Sequence, residues 1–217
     1  MTPGSELYTF EGEPALATLV WRLGSAWRAA STAPVGGGIA PCEWVVNVQV
    51  PSEYARLDVE THVGEVAAAL GLRGPGVGML TAAPVAQVRA ATDDGVDVEA
   101  TVGLRLPVWA AAAPDPDPDQ FELVATPGTV NIVAFVPVPH SDGALANLLC
   151  TATEAKVQAL LEGGVPGTGT ASDAVTVLCP PPADSVQPFG GPRSEYGARL
   201  ARATHAAIGA GIGERTS

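Results

Sequence analysis

The hydrophobic and polar positions of the chain follow two different periods. Alternating or continuously apolar stretches, typical of β-strands, occupy residues 16–22, 44–50, 76–80, 85–106, 121–138 and 174–179. Stretches with apolar positions three and four residues apart, typical of helices, occupy residues 59–70, 142–162 and 194–208. Within the stretch 85–106, the sequence Asp93-Asp94-Gly95 predicts a hairpin turn.

The residues at the helix ends support the same division. Gly71 closes the first helix, Ser141 caps the start of the second, Gly163 and Gly164 end it, and Ser194 caps the third. About three main helices among many strands predict an α+β fold with a mixed sheet, and an α/β layered arrangement is the alternative. We expect residues 1–217 to form a single domain. Its segment 110–120, in which proline and aspartate alternate, is predicted to be a flexible, extended loop.

Composition narrows the classes of function. The net charge of −12 argues against nucleic acid as a partner, because such binding needs a basic surface; the acidity either favours a cationic ligand or serves solubility. No apolar run approaches the ~20 residues of a membrane-spanning helix. The first residues lack the pattern of a secretory signal, so we expect a cytoplasmic protein with reduced cysteines, of which Cys150 and Cys179 lie in the core.

Polar residues cluster in three patches of the otherwise apolar segment 131–202. These are TATEAK at 151–156, GTGTASDAV at 167–175 and FGGPRS at 189–194. Five more segments precede them, in the order APVGGG (33–38), WVVNVQV (44–50), GVGMLTAA (76–83), VEATVGLRLPVWAA (98–111) and PGTVNIVAFVPV (127–138). In content and order, over about residues 30–208, the eight segments resemble the adenosylcobinamide amidohydrolase family.

This resemblance implies an enzyme that cleaves a linear amide C–N bond. The bond would join a propionate arm of the corrin ring to aminopropanol in adenosylcobinamide, and hydrolysis would release adenosylcobyric acid. That reaction is a corrinoid salvage step of cobalamin biosynthesis. The implied partner is a small-molecule corrinoid; no cofactor is expected, and the oligomeric state, a homo-oligomer included, stays open. The alternatives are a corrinoid-binding module without catalysis and an amidase acting on another small molecule.

Five residues are candidates for catalysis. Lys156 falls in the middle of the apolar face of the second helix, where it either reaches outward or is held beside a partner and acts as a base. Asp173, Thr170 and Ser172 lie in a glycine-rich segment that either lines a site or forms an ordinary turn. Thr81 follows a strand and offers a hydroxyl. The attacking group is either water or the hydroxyl of Ser172, Thr170 or Thr81.

Further residues are candidates for binding the substrate. They are Asn131, Thr168, Arg193, Ser194, Glu154, Asp142, Gly37 and Gly38. Glu154 and Lys156 are two residues apart on one helix and therefore do not face the same site. The histidines lack metal-binding spacing, so no metal is expected; His62 either caps or pairs at its helix start, and His140 is the best placed for a site role. We expect Asn131, Lys156, Thr170, Asp173 and Arg193 to converge on one wide, open cleft.

Overall fold

The computed structural model describes residues 2–10, 16–113 and 128–213. In these ranges eight strands are found: β1 (Glu6–Phe10), β2 (Leu16–Ser31), β3 (Gly38–Gln49), β4 (Gly76–Thr81), β5 (Arg89–Asp93), β6 (Val96–Val102), β7 (Val130–Phe135) and β8 (Ala174–Cys179). The helices of the described residues are α1 (Val59–Ala69), α2 (Asp142–Glu162) and α3 (Glu195–Gly213), with one 3₁₀ turn at Val85–Gln87. The predicted α+β class is confirmed.

All eight strands belong to one mixed sheet. Its order is β4-β3-β2-β8-β7-β6-β5, with β1 also paired to β2. The pairs β3/β4 and β7/β8 are parallel, and the other pairs are antiparallel. Along one edge, β2 pairs with β1 through residues 16–20 and with β8 through residues 28–31. This long strand therefore joins the two halves of the sheet.

The sheet curls until strands that are not neighbours touch across its inner face. Asn47 on β3 donates to Thr101 on β6 at 3.0 Å, and Asn131 on β7 donates to Asn47 at 2.8 Å. Beside this polar contact lies one apolar cluster with members from both halves, including Trp21, Val45, Val77, Met79, Val133, Phe135 and Leu178. Closure of the curl thus buries a core between the two halves and places a few polar groups inside it.

The helices cover the outer faces of the curled sheet. Helices α2 and α3 pack on the outer face of β6, β7 and β8, where Leu145, Leu160, Leu200 and Ile208 are fully buried. Helix α1 packs through Val63 against the outer face of β2 and β3. At the start of α2 the Ser141 hydroxyl accepts from the Ala144 amide at 3.2 Å, as a capping serine does. The core therefore has an inner layer and two outer layers.

Most predicted elements are confirmed, with changes at their ends. Helix α2 has its predicted bounds, and the hairpin turn has positive φ at Asp94 (42°) and Gly95 (85°), as its sequence requires. Strand β2 is longer than predicted because a register shift between Arg22 and Trp27 lets the strand continue. Strand β1 was not predicted, and residues 85–87 form a 3₁₀ turn instead of a strand. Residues 114–127, which include most of the predicted loop, lie outside the described ranges.

The prediction for one cysteine is wrong. Cys150 is exposed, because on α2 it faces away from the sheet, four residues before the exposed Glu154. Cys42 and Cys179 are buried. Burial raises the pKa of both thiols, that of Cys42 to about 12. Neither buried thiol is therefore reactive at neutral pH.

Candidate active site

A small cavity opens at one end of the curled sheet, where β3 and β4 end and β7 and β8 begin. Its volume is about 210 Å³. The lining residues are Pro34, Val50, Pro51, Ser52, Tyr54, Val59, Leu80, Thr81, Ala82, Thr129, Asn131, Ser172 and Ala174. We call this the polar cavity, because hydroxyl and amide groups from separate segments meet in it. Three of the sequence candidates, Thr81, Asn131 and Ser172, line it.

Among the described lining residues, Asn131 contributes the amide side chain of the polar cavity. Its side-chain nitrogen donates to Asn47 Oδ1 at 2.8 Å and to the Leu80 carbonyl at 3.0 Å, so both N–H groups are used. Within the described residues, no donor reaches its Oδ1, although Asn131 is only 2% exposed. An unpaired buried acceptor costs about 1–3 kcal/mol. Asn131 is thus held by two hydrogen bonds and keeps one acceptor unpaired.

Five hydroxyl groups line the polar cavity with Asn131, those of Ser52, Tyr54, Thr81, Thr129 and Ser172. The Thr81 oxygen accepts from the Ala83 amide at 2.9 Å, and Thr81 is 2% exposed. Ser172 and Thr129 share a hydrogen bond of 2.9 Å between their hydroxyl oxygens. The Thr81 oxygen is thus held in a fixed position by a backbone N–H group two residues further along the chain.

A tyrosine and a histidine form a pair on the α1 side of the polar cavity. The Tyr54 hydroxyl lies 2.7 Å from His62 Nδ1, and the two rings stack with centroids 5.3 Å apart. Burial lowers the pKa of His62 and raises the pKa of Tyr54. Both side chains are therefore neutral at pH 7. His62 pairs at its helix start, one of the two placements expected from sequence.

Lys156 and Asp173 form a buried ion pair outside the lining of the polar cavity. Their side chains are 7% and 10% exposed. The Asp173 carboxylate also accepts from the Val130 amide at 2.8 Å and from both the amide (3.1 Å) and the hydroxyl of Thr170. A carboxylate with these four donors is already saturated. The pair therefore fixes the turn that carries Ser172 into the polar cavity.

The glycine-rich segment around Thr168 is fixed by backbone contacts. The Thr168 oxygen accepts from the Ala110 amide at 3.0 Å, and Val108 and Gly169 form a β-bridge. A Cβ on Gly169 would collide with the carboxylate of Asp173 and with Lys156 Nζ, at 2.6 Å from the latter. Glycine at this position thus lets the segment lie directly on the ion pair.

Gly37 lies in the loop that supplies Pro34 to the polar cavity, and Gly38 begins β3 directly after this loop. A Cβ on Gly37 would lie 2.6 Å from the Ala33 carbonyl, and Gly38 has φ of 94°, so both positions favour glycine for backbone reasons. Glu154 is exposed on the opposite side of α2 from Lys156. None of these three residues lines the polar cavity.

Arg193 and Ser194 line a second cavity at the far end of the molecule, near the start of α2 and of α3. Ala144 also lines the second cavity, and Lys156 lies twelve residues beyond it on α2. Because a helix rises about 1.5 Å per residue, Lys156 is about 18 Å from this cavity along the helix axis. Asp142 forms an ion pair with Arg28 at this end. The structure thus brings Lys156, Thr170 and Asp173 together beside the polar cavity that Asn131 lines, and Arg193 lies apart from them.

His140 is buried close to the start of α2 and lines neither cavity. Its Nδ1 lies 2.8 Å from the Val138 carbonyl, and its ring meets Tyr196 edge to face. Burial lowers the pKa of His140. The polar contact lies within the loop before α2, and the ring contact packs α3 against that loop.

Among the described residues there is no cluster of three or more histidine, cysteine or acidic side chains that would hold a metal ion. In the same ranges no helix is both long and apolar enough to span a membrane.

Sequence reasoning missed four residues around the polar cavity. Tyr54 and Thr129 line it, Asn47 accepts from Asn131, and Thr101 accepts from Asn47. Asn47 and Thr101 carried a signal, since each is a polar residue at a buried position of a strand pattern. Tyr54 carried none, because it lies in a loop, where no periodic pattern marks a buried polar position.

Comparison with known proteins gives a consistent match. Residues 5–217 match the model of the adenosylcobinamide amidohydrolase family. An adenosylcobinamide amidohydrolase of Halobacterium salinarum is 35% identical over 82% of this chain and 78% of its own length. One from Methanosarcina mazei is 30% identical over 82% of this chain and 86% of its own. Among solved structures, a Burkholderia sp. beta-aminopeptidase is 13% identical, with a TM-score of 0.49 over 97% of this chain and 83% of that one.

Proposed function

The chain belongs to the adenosylcobinamide amidohydrolase family, and from this premise we propose that it hydrolyses the aminopropanol amide of adenosylcobinamide to adenosylcobyric acid. Its relatives carry the name of an amidohydrolase of cobinamide-type substrates, so the chain is an amidohydrolase. The identity of the acid product and a role in corrinoid salvage toward cobalamin are part of the proposal.

The size of the polar cavity supports a reaction on a side arm of a large substrate. Pockets that enclose a drug-sized ligand measure roughly 300–1,000 Å³. The polar cavity, at about 210 Å³, is smaller than this range. We therefore place only the amide arm inside it and the corrin ring at its mouth.

The single observation that carries the proposal is the unpaired, buried Oδ1 of Asn131. An amide substrate presents an N–H group, and the aminopropanol part adds a hydroxyl; either group can donate to this oxygen. The pairing removes the cost of the buried acceptor only when substrate is present. Asn131 thereby selects an arm that carries a hydrogen-bond donor.

In this proposal the Thr81 hydroxyl attacks the carbonyl carbon of the bound amide. Attack forms a C–O bond to Thr81 and a tetrahedral intermediate, and collapse breaks the C–N bond and releases aminopropanol. Water then hydrolyses the ester and releases the corrinoid acid. The Ala83 amide, which donates to the Thr81 oxygen at 2.9 Å, holds the attacking atom in position.

The test is incubation of the purified protein with adenosylcobinamide, followed by chromatography and mass spectrometry. We expect adenosylcobyric acid and aminopropanol in equal amounts. Corrinoid that is retained by the protein without any product would establish a binding module instead. Hydrolysis of simpler amides with none of cobinamide would establish an amidase for another substrate.

A further inference from the structure

Amide hydrolysis requires two proton transfers, and the lining of the polar cavity restricts which residue can perform them. The nucleophile must lose a proton, and the leaving nitrogen must gain one. Among the described residues that line the polar cavity, Tyr54 alone has an ionisable side chain. The saturated carboxylate of Asp173 and the Lys156 amine lie outside the lining.

Tyr54 is joined to a base that does not itself line the cavity. Its hydroxyl lies 2.7 Å from His62 Nδ1, within the described residues its one hydrogen-bond partner. The stacked rings, inclined by 28°, hold that contact in place. Since burial keeps His62 neutral at pH 7, its Nδ1 can accept the phenol proton and its Nε2 carries the other.

The charged residues near Tyr54 and His62 lie on the loop before α1 and on α1 itself. Arg56 bonds Asp58 at 2.6 Å and Glu65 at 2.9 Å, and thus neutralises much of both carboxylates. Arg56 favours neutral His62, whereas Asp58 and Glu65 favour its protonation; the net direction is set by burial. The sheet side of the cavity contributes hydroxyls and amides but no charge.

We propose that Tyr54 is the proton-transfer residue of this hydrolysis and that His62 positions it and stores the proton. This role rests on the proposed function. In the first step the attacking hydroxyl gives its proton to the Tyr54 oxygen, while the phenol proton moves to His62 Nδ1 and the new C–O bond forms. In the second step the proton returns along the same path, Tyr54 protonates the leaving nitrogen, and the C–N bond breaks. The pair ends neutral, as it began.

The test compares Tyr54→Phe with Tyr8→Phe in adenosylcobinamide hydrolysis. Both variants remove one phenol hydroxyl, and that of Tyr8 bonds Glu6 and Arg22 at the surface. We expect Tyr54→Phe to lower kcat by about 100- to 10,000-fold with KM near its wild-type value, and Tyr8→Phe to leave both unchanged. A Tyr54→Phe enzyme with wild-type kcat would overturn the role of Tyr54 alone. Absence of product from the wild-type protein would overturn the proposed function and this role with it.

A second comparison separates the storage of a proton from mere packing. His62→Asn keeps a polar partner for Tyr54 that cannot take up a proton, and the control His205→Asn changes a surface histidine bonded to Glu162. In the wild type and in the control we expect kcat/KM to fall on the acid side as His62 is protonated. In His62→Asn that acid limb should be lost and the plateau lowered at least tenfold. Nitrogen-15 NMR should show His62 Nδ1 without a proton at pH 7, and a protonated Nδ1 would overturn the relay.

Discussion

Lys156 is the only lysine in the chain, and its replacement tests what the buried ion pair does. Lys156→Met keeps the length and the apolar stem of the side chain but removes the positive charge. Asp173 then remains buried as a carboxylate, at 10% exposure, with only its three other donors. Breaking a buried pair from one side costs about 3–5 kcal/mol. In a protein of this size that loss lowers Tm by roughly 6–20 °C.

Two quantities are needed for the Lys156→Met variant. Thermal unfolding followed by circular dichroism gives its Tm, and an activity assay well below that Tm gives its turnover. Arg28→Met is the matched control, because its partner Asp142 has a side chain that is 70% exposed. We expect that variant to lose less than about 1 kcal/mol. The double variant Lys156→Met, Asp173→Asn should be more stable than the sum of the two single losses predicts.

One result would refute this reasoning. Lys156→Met with an unchanged Tm and no turnover would mean that the amine takes part in the chemistry, as the mid-helix position in the sequence suggests. Lowered stability with turnover retained at low temperature would support the positioning role. The two outcomes differ in both measurements, so one variant separates them.

Three other changes have distinct expected results. Asn131→Leu should lower kcat/KM by roughly 5- to 160-fold, since it leaves a buried donor of the substrate unpaired at a cost of about 1–3 kcal/mol, as initial rates with adenosylcobinamide would show. Thr81→Val should lower kcat about 1,000-fold or more, because the nucleophile is lost, and single-turnover measurements check this. Burial lowers the pKa of His140, so its contribution to stability is present above the unfolded-state value of about 6.5 and is lost as pH falls through the folded-state pKa. His140→Asn should therefore make the free energy of unfolding fall less steeply between about pH 7 and pH 5 in urea titrations.

Each of these changes has a control within the chain. Thr101→Val disturbs the hydrogen bonds around Asn131 without touching the cavity, so it should reduce stability but not kcat/KM. Ser172→Ala should retain activity within about tenfold; complete loss there, with Thr81→Val active, would reverse the assignment, and activity in both would indicate attack by water. His205→Asn, at a surface histidine bonded to Glu162, is the control for this slope. An equal flattening by this surface variant would contradict the role given to His140.

Local patterns in the sequence predict the elements, because their causes are local. Helix α2 has its predicted bounds because Ser141 caps one end and Gly163 ends the other. The hairpin between β5 and β6 forms because Asp94 and Gly95 tolerate positive φ. The buried position of Lys156 also follows from its place among apolar residues on the helical face.

The cavity cannot be predicted in the same way, because it depends on contacts between distant strands. Asn131 meets Asn47 only since the sheet curls, and the two residues are 84 positions apart. Arg193 and Lys156 both stand in polar patches, yet α2 separates them along its length. The resemblance of motifs identifies candidate residues. Which of these candidates share a site can be determined only from the curled sheet in the folded structure.

The place of β8 in the sheet has a consequence for how the chain folds. This strand lies between β2 and β7, yet it is the last strand in sequence. Until residues 174–179 are available, β2 and β7 expose unpaired edges, and such edges are sites of aggregation. The two halves can close on each other only after most of the chain has left the ribosome, and this long-range closure is expected to be slow. A chain that is cut before residue 174 should therefore accumulate as insoluble material, because the strand that closes its sheet has not been made.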